Sequence, residues 1–297
     1  MNLRTDLHLH TTASDGRWAP ERLIAELQRA GIELFAVTDH DSLQSLEEMA
    51  RRVRGTDLRF LPGVEISSCL RGQTYHLLAF GFDRADPSLN AFVRANEERL
   101  AWANYEAVRL LIQSGYSLSL DEYADYTWDR SRGGWKALNF LIDRGLCRDV
   151  RSYFGELFGN HLTHPQADFP SPEEVIQVVH RAGGEVILAH PGVPFYNGLD
   201  DRRLDELVEM GLAGLECFAT HHDEATTRRF LEYSRRRNLL ITGGSDSHGG
   251  FAGRALGRPV VYSDDLRLGR LVDDVLGRDQ QRGEEQDDGR NRVRTGQ

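Results

Sequence analysis

The sequence predicts an α/β barrel that carries polar, metal-binding side chains at one end. Short apolar runs alternate with helical patterns, and several of these runs end in histidine or a carboxylate. Residues 34–38 are followed by Asp39 and His40, and residues 186–189 by His190. In an α/β barrel the carboxyl ends of the strands share one mouth, where functional residues collect. We therefore expect these side chains to meet at that mouth.

Composition limits the class of protein. The chain has 297 residues, 40% of them hydrophobic, which suits one large α/β domain or one domain with an insertion. A net charge of -10 argues against a wide face for long nucleic acid. Three cysteines form no CxxC pair, and no apolar stretch approaches the ~20 residues of a membrane span. We expect a cytoplasmic protein that binds no membrane and needs no obligate protein partner.

The first part, residues 1–86, alternates strand and helix. We expect strands at residues 3–8, 33–38, 58–66 and 74–82, because these runs are short and apolar. Helices at residues 19–30 and 42–53 carry apolar residues at helical spacing. Pro20 suits the first turn of the earlier helix, and Gly31 suits its C-terminal cap.

Residues 87–170 contain no convincing strand. Their pattern predicts one long helix at residues 87–115, followed by short helical pieces at residues 135–143 and 150–158. We interpret this segment as a helical insertion that forms a cap beside the barrel mouth.

The α/β pattern resumes at residue 171 and continues to residue 276. Ser171 and Glu174 match a capping box, with Pro172 at the first helical position. The last helix is expected at residues 266–276. Residues 277–297 are mostly charged or glycine, so we expect a disordered tail.

Nine residues are candidate metal ligands. His8 and His10 are two residues apart on a strand and therefore point to the same side. Asp246 and His248 repeat this spacing after a glycine pair that would let the chain turn tightly into the site. The other candidates are Asp15, His40, Glu65, His76 and His190. For His76, which lies inside a strand, a polar core role is an equal alternative.

These donors indicate the metal and the chemistry. Imidazole and carboxylate without a required thiolate favour manganese, iron or zinc in an open site. Nine donors exceed what one ion accepts, so we expect two or three divalent ions with Glu65 as their bridge. Ions held about 3.5–4 Å apart clamp the attacking and leaving oxygens of an in-line displacement. Hydrolysis of a phosphate ester fits this arrangement.

The motifs together resemble the PHP (polymerase and histidinol phosphatase) family. They are His8-Leu9-His10 with Asp15, Thr38-Asp39-His40-Asp41, Gly63-Val64-Glu65-Ile66-Ser67, Ala189-His190-Pro191-Gly192 and Gly244-Ser245-Asp246-Ser247-His248-Gly249. The resemblance covers residues 1–85 and 171–262. It implies a distorted (β/α)7 TIM-like barrel with a helical insertion domain. The subgroup it resembles includes 3',5'-nucleotide bisphosphate phosphatases and TrpH-type 5'-to-3' exoribonucleases.

The resemblance also implies how three ions are held. The first would be bound by His8, His10, Glu65 and Asp246, the second by Glu65, His76 and His190, and the third by Asp15, His40 and His248. It further implies a metal-bridging hydroxide that attacks phosphorus in line.

Two more residues are candidates for catalysis. His221 follows the strand at residues 213–218 and could donate a proton to the leaving oxygen or bind phosphate; a solvated loop residue is the alternative. Asp39 could orient a histidine ligand, and a loop-capping role is about as well supported.

The cap offers candidates for substrate binding. Arg132 and Lys136 lie around Gly133-Gly134, where backbone N–H groups and positive charge can receive a phosphate. Surface solvation is the alternative reading of both. Trp128 and Trp135 bracket the same stretch and either stack on a base or pack between helices.

We therefore predict a divalent-metal-dependent phosphoesterase that hydrolyses a phosphomonoester of a nucleotide, with a 3',5'-bisphosphonucleotide as the leading substrate. The alternative is a 5'-to-3' exoribonuclease on short RNA. Further alternatives are a histidinol-phosphate phosphatase, an amidohydrolase and a non-catalytic metal-stabilised module.

Overall fold

The structure, a computed structural model, describes residues 2–159, 162–196 and 198–271. Eight strands in these residues form one sheet. They are β1 (Arg4–Asp6), β2 (Leu34–Val37), β3 (Arg59–Leu70), β4 (Gln73–Phe80), β5 (Glu185–Leu188), β6 (Gly214–Ala219), β7 (Leu240–Gly244) and β8 (Val261–Tyr262). Their order is β7-β6-β5-β4-β3-β2-β1-β8.

The sheet closes into a barrel because β7 also meets β1. The Leu7 N–H donates to the Gly243 carbonyl at 3.0 Å, and Leu9 pairs with Ser247 in parallel beyond the strand ends. β8 pairs antiparallel with the first half of β1. The predicted TIM-like α/β barrel is confirmed.

Nine helices accompany the strands in the described residues. They are α1 (Pro20–Ala30), α2 (Leu46–Arg52), α3 (Pro87–Gln113), α4 (Leu120–Asp125), α5 (Lys136–Asp143), α6 (Val150–Ser152), α7 (Pro172–Arg181), α8 (Asp201–Glu209) and α9 (Glu224–Arg236). α1 begins with Pro20 and ends at Gly31, which adopts a left-handed conformation. α7 begins with the predicted capping box of Ser171 and Glu174.

The barrel is distorted at β4, which runs antiparallel to both β3 and β5. β3 is longer than the sequence pattern suggests, and only Arg71 and Gly72 separate it from β4. Both residues have positive φ, of 52° and 77°, as a tight hairpin turn requires. In this hairpin Ser67 lies opposite His76. His76 therefore shares a sheet face with Ser67 and, two residues earlier, Glu65.

Apolar residues fill the barrel below its mouth. Leu61 lies on the same face of β3 as Glu65, and Leu78 lies on the same face of β4 as His76. Both leucines are fully buried in one cluster with residues of β2 and β5. The polar side chains at the mouth therefore pack above an apolar interior, which restricts their orientations.

The helical segment between β4 and α7 has an apolar cluster of its own. This cluster is built around α3 and α5, with Tyr123, Phe140 and Tyr153 among its buried members. We call residues 87–170 the cap, and its exact boundaries stay a prediction. Asn96 on α3 joins the cap to the barrel, because its side-chain N–H groups donate to Asp41 Oδ1 at 2.9 Å and to the Ser67 carbonyl at 2.7 Å.

The expectation of a helix from residue 266 is wrong for residues 266–270, although residue 271 is helical. Residues 263–265 form a short 3-10 helix, and Arg267 then pairs with Ile241 through two backbone hydrogen bonds. Leu268 enters the apolar barrel cluster from this extended segment. The tail predicted at residues 277–297 lies outside the described residues. Within the described ranges, no helix has the length and apolar character needed to cross a bilayer.

The cap–barrel joint at Asn96 yields a stability prediction. Asn96 and Asp41 are both fully buried, so Asn96→Ala should leave the Asp41 carboxylate short of a donor. We expect the free energy of unfolding to fall by about 1–3 kcal/mol, measured by urea denaturation. The control is Glu98→Ala on the exposed face of the same helix, which should change stability by at most about 0.5 kcal/mol. Equal effects of the two substitutions would contradict the proposed joint.

Candidate metal centre

The Glu65 carboxylate lies at the centre of the barrel mouth and is fully buried. Five imidazoles surround it. Oε2 of Glu65 lies 3.0 Å from His8 Nε2, 3.2 Å from His10 Nε2 and 3.2 Å from His40 Nδ1. Oε1 lies 3.0 Å from His76 Nδ1 and 3.2 Å from His190 Nε2. Both oxygens of Glu65 thus face several ring nitrogens, the arrangement of a carboxylate that bridges ions.

Asp246 supplies the second carboxylate at the centre. Its Oδ1 lies 3.1 Å from His10 Nε2 and 3.5 Å from His8 Nε2. Asp246 has φ of 52° and His190 has φ of 29°, conformations that non-glycine residues rarely adopt. Such backbone strain collects at functional sites.

The glycines before Asp246 do not form the tight turn expected from the sequence. They belong to β7, and neither has a positive φ. A Cβ on Gly244 would lie 2.4 Å from the His8 Cβ. Gly244 is therefore needed for the close approach of β7 to β1, which brings Asp246 to the two histidines.

The structure brings all nine predicted ligand residues to this mouth, in three overlapping clusters of donor atoms. Cluster A holds His8, His10, Glu65 and Asp246; cluster B holds His40, Glu65 and His76; cluster C holds His10, Asp15, His40 and His248. Within each cluster the donor atoms lie within 4.8 Å of one another. Cluster A has the expected membership. His40 joins cluster B and His10 joins cluster C, while His190 contacts Glu65 from beside cluster B.

The donors fit divalent metal ions. Buried donor atoms aim into the clusters without a hydrogen-bond partner among the described residues; they are His10 Nε2, His76 Nδ1 and Asp246 Oδ1. An unpaired buried polar atom is costly unless it has a ligand to bind. Nitrogen and carboxylate donors without thiolate match manganese, iron or zinc.

Burial and charge set the protonation of the centre. Burial is the main cause that lowers the pKa of His40 to about 3. Burial opposes ionisation of Glu65, but the surrounding imidazoles, His40 and His8 first, hold its pKa well below the usual range. For His10, burial favours the neutral form, yet the neighbouring carboxylates of Asp246 and Glu65 raise its pKa to about 9. A divalent ion would displace protons from such imidazoles.

Glu216 on β6 was missed by the sequence analysis. Its carboxylate accepts from His8 Nδ1 at 3.0 Å and from the His190 backbone N–H at 2.7 Å. The first contact leaves His8 Nε2 free to face cluster A, the usual arrangement of a ligand histidine and its carboxylate partner. A glutamate inside the apolar run of β6 was the signal that could have identified it.

His222 was missed as well. Its Nδ1–H donates to the Cys217 carbonyl at 2.9 Å, and its Nε2 accepts from the Gly192 N–H at 2.9 Å. The imidazole is thereby held in one neutral tautomer and anchors the loop that follows His190.

Arg254, which the sequence did not indicate, pairs with Asp246. Its guanidinium donates to Asp246 Oδ2 and lies in the loop after β7. It adds positive charge beside a centre rich in carboxylates.

The two candidate catalytic residues lie at different depths. Asp39 is fully buried and accepts from the Thr11 N–H at 2.7 Å, from Ser14 Oγ at 2.8 Å and from Ser45 Oγ at 2.5 Å. These are the contacts of the loop-capping role. His221 is exposed at the mouth, with its ring centroid 6.4 Å from that of His190. Burial and the charge of Arg254 lower its pKa.

A cavity of about 440 Å³ runs from the metal clusters to the cap. His40, His76 and Asp15 line its floor, while Trp135 and Lys136 line the cap side. The Lys136 ammonium donates to the Ala124 carbonyl at 2.8 Å and lies 5.0 Å from the centre of the Tyr123 ring. Among the 36 basic residues of the sequence, Lys136 is the only lysine.

The other predicted phosphate-binding residue, Arg132, does not line this cavity. Its guanidinium forms a two-point ion pair with Asp143, at 2.9 and 2.7 Å. Arg130, two residues earlier, does line the cavity and stacks over Trp128 at 4.7 Å.

Comparison with known proteins supports this site. A model of the PHP domain matches residues 6–151. Three curated relatives are similar over most of their length. A phosphoribosyl 1,2-cyclic phosphate 1,2-diphosphodiesterase of Eggerthella lenta is 28% identical, over 83% of this chain and 94% of the relative. A 3',5'-nucleoside bisphosphate phosphatase of Chromobacterium violaceum is 28% identical, over 88% of this chain and 92% of the relative. The 5'-3' exoribonuclease Rnm of Escherichia coli is 27% identical, over 82% of this chain and 84% of the relative.

A solved structure supports the fold. A protein of Bifidobacterium adolescentis, inferred to be a metal-dependent phosphoesterase, superposes with a TM-score of 0.78 at 26% identity, over 92% of this chain and 96% of that one. The barrel, the convergent histidines and carboxylates and these matches agree: residues 6–151 match the PHP domain, and the chain is similar to metal-dependent phosphoesterases.

Proposed function

We propose that this protein is a divalent-metal-dependent phosphoesterase that removes a phosphate from a nucleotide, with a 3',5'-bisphosphonucleotide as its leading substrate. The observation that carries the proposal is the gathering of nine donor residues, Glu65 among them, at the barrel mouth beside a cavity with cationic side chains. Relatives that act on nucleoside bisphosphates and on RNA support the substrate class.

We assign the nine donor residues to two or three ions of manganese, iron or zinc. Cluster A would hold one ion, and clusters B and C would share His40 between two others. His190 would complete cluster B from its position 3.2 Å from Glu65 Oε1. Such ions supply Lewis acidity and lower the pKa of water.

The chain's own residues have defined tasks in this proposal. Glu216 keeps His8 Nε2 directed at cluster A, and Asp39 holds the loop that carries Asp15. His221 faces the open side of the mouth and, once a phosphate dianion favours its protonated form, would donate a proton to the leaving oxygen. Arg254 would lie near the same phosphate.

The cavity suits one nucleotide. Its volume of about 440 Å³ falls in the range of small-molecule sites, and aromatic rings of Trp128 and Trp135 can receive a base. Lys136 supplies a compact charge for a second phosphate. Arg132, although paired with Asp143, lies close enough in the chain to be kept as a secondary candidate.

The deciding experiment compares substrates. Manganese-loaded protein is incubated with 3',5'-bisphosphoadenosine, AMP, histidinol phosphate, a 5'-phosphorylated oligoribonucleotide and a ribose cyclic phosphate without a base. We expect the fastest phosphate release from the bisphosphonucleotide. Release of mononucleotides from the oligomer alone would favour the exoribonuclease instead, and no hydrolysis of any ester would overturn the proposal.

Removing the carboxylate partner of His8 should weaken metal binding. Glu216→Gln replaces one acceptor oxygen with an N–H₂ group, so the negative charge is lost and a single oxygen remains for His8 and the His190 N–H. We expect manganese affinity to fall about 10- to 100-fold, measured by titration of the apoprotein. Glu232→Gln makes the same charge change on the exposed face of α9 and should leave affinity unchanged. Equal affinity for all three proteins would exclude Glu216 from the site.

Lys136 should act on substrate rather than on metal. Loss of a hydrogen bond to a charged group costs about 1.5–3 kcal/mol, so Lys136→Ala should raise KM at least about 10-fold for the bisphosphonucleotide. Metal content should stay at the wild-type level. The control is Arg148→Ala, an exposed cation elsewhere in the cap, 78% of whose side chain is accessible. An unchanged KM would remove Lys136 from the substrate site.

A further inference from the structure

We propose that Arg130 is a positioning residue through which the cap sets the metal affinity of cluster C. This inference rests on the proposed metal-dependent function. Arg130 touches no donor atom of the centre. It acts on the backbone that carries Asp15.

The guanidinium of Arg130 holds the chain immediately before Asp15. Its Nε and Nη2 donate to the Thr12 carbonyl at 3.1 and 2.7 Å, and Nη2 also donates to the Ser14 carbonyl at 2.8 Å. The planar fork of arginine can reach both carbonyls together. Stacking over Trp128 fixes the plane of the fork.

Backbone contacts from the same part of the cap secure the loop further. The Gly134 N–H donates to the Asp15 carbonyl at 2.7 Å. In the opposite direction, Arg17 Nε donates to the Ser131 carbonyl at 2.9 Å. Residues 130–134 and residues 12–17 are thus joined by hydrogen bonds in both directions.

The same cap turn packs against the loop that carries His248. Gly133 approaches so closely that a Cβ there would lie 2.7 Å from Arg17 Cγ and 2.8 Å from Phe251 Cβ. Arg17 in turn donates its backbone N–H to the His248 carbonyl at 3.1 Å. The turn therefore supports two ligand-bearing loops, those of Asp15 and His248.

Cluster C depends on this support more than the other two clusters do. No member of cluster C lies within a strand, whereas clusters A and B both contain Glu65 of β3, and cluster B also contains His76 of β4. Loops hold a ligand geometry less firmly than sheet residues, so support from the cap matters most for a cluster whose ligands all lie outside the strands.

The test is a manganese titration of the full chain, with free Mn²⁺ followed by electron paramagnetic resonance. Arg130→Gln should weaken manganese binding at cluster C about 10- to 100-fold, as loss of a supporting contact does, while the other sites keep their affinity. Asp15→Asn defines the loss expected when cluster C itself is damaged. Arg130→Lys keeps the charge but offers a single point of contact. Its manganese affinity should lie between that of the wild type and that of Arg130→Gln.

The matched control is Arg144→Gln. Arg144 is also a cap arginine stacked on an aromatic ring, 5.0 Å from the Phe140 centre, but its ion-pair partner is Glu122 within the cap. The manganese isotherm of Arg144→Gln should match that of the wild type. The thermal unfolding temperatures of the Arg144→Gln and Arg130→Gln apoproteins should be alike.

The outcomes separate two failures. If Arg130→Gln and Arg130→Lys both bind every ion as the wild type does, or if Arg144→Gln shows the same loss, the assignment of Arg130 is overturned. If the wild type itself binds no manganese, the proposed metal centre fails instead.

Discussion

The charge of Glu65 is the constraint on which the rest of the mouth depends. A carboxylate removed from water is costly unless positive or hydrogen-bonding groups compensate it. Here imidazoles from β4 and from the segments that follow β1, β2 and β5 approach it within 3.0–3.2 Å. Two of them have further support: Glu216 accepts from His8, and His222 anchors the loop after His190. The arrangement is stable only if the barrel brings every one of these segments to the same place.

Two features of the barrel achieve that. Gly244 lets β7 pass against β1, so that Asp246 reaches His8 and His10. The reversed strand β4 then brings His76 to the face of Glu65, which a barrel of parallel strands alone would not do. Above the mouth, the cap covers the clusters through Asn96 and Arg130. The positions of the candidate metal ligands, the closure of the barrel and the placement of the cap therefore depend on one another.

The sequence was sufficient for the barrel and for the convergence of the nine candidate donor residues at its mouth, because imidazole and carboxylate at strand exits form a repeated pattern. It was less informative wherever the evidence was a single residue. Glu216, His222 and Arg254 have no motif, and their roles depend on neighbours more than 20 residues away or on loop geometry. Arg132 and Arg130 are indistinguishable by spacing, yet one pairs with Asp143 and the other with the Asp15 loop. Leu268 and Leu271 have helical spacing, but tertiary pairing of Arg267 with Ile241 prevailed at the start of that run.

The identity of residue 136 has a practical consequence. Arginine supplies every other basic side chain, so reagents that acylate primary amines on side chains have a single ε-amino target in the sequence. That target faces the cavity beside Tyr123. Acetylation would replace its positive charge with a neutral amide of larger volume. Immobilisation or fluorescent tagging through lysine would therefore obstruct this cavity, whereas thiol or arginine chemistry would leave the ammonium group intact.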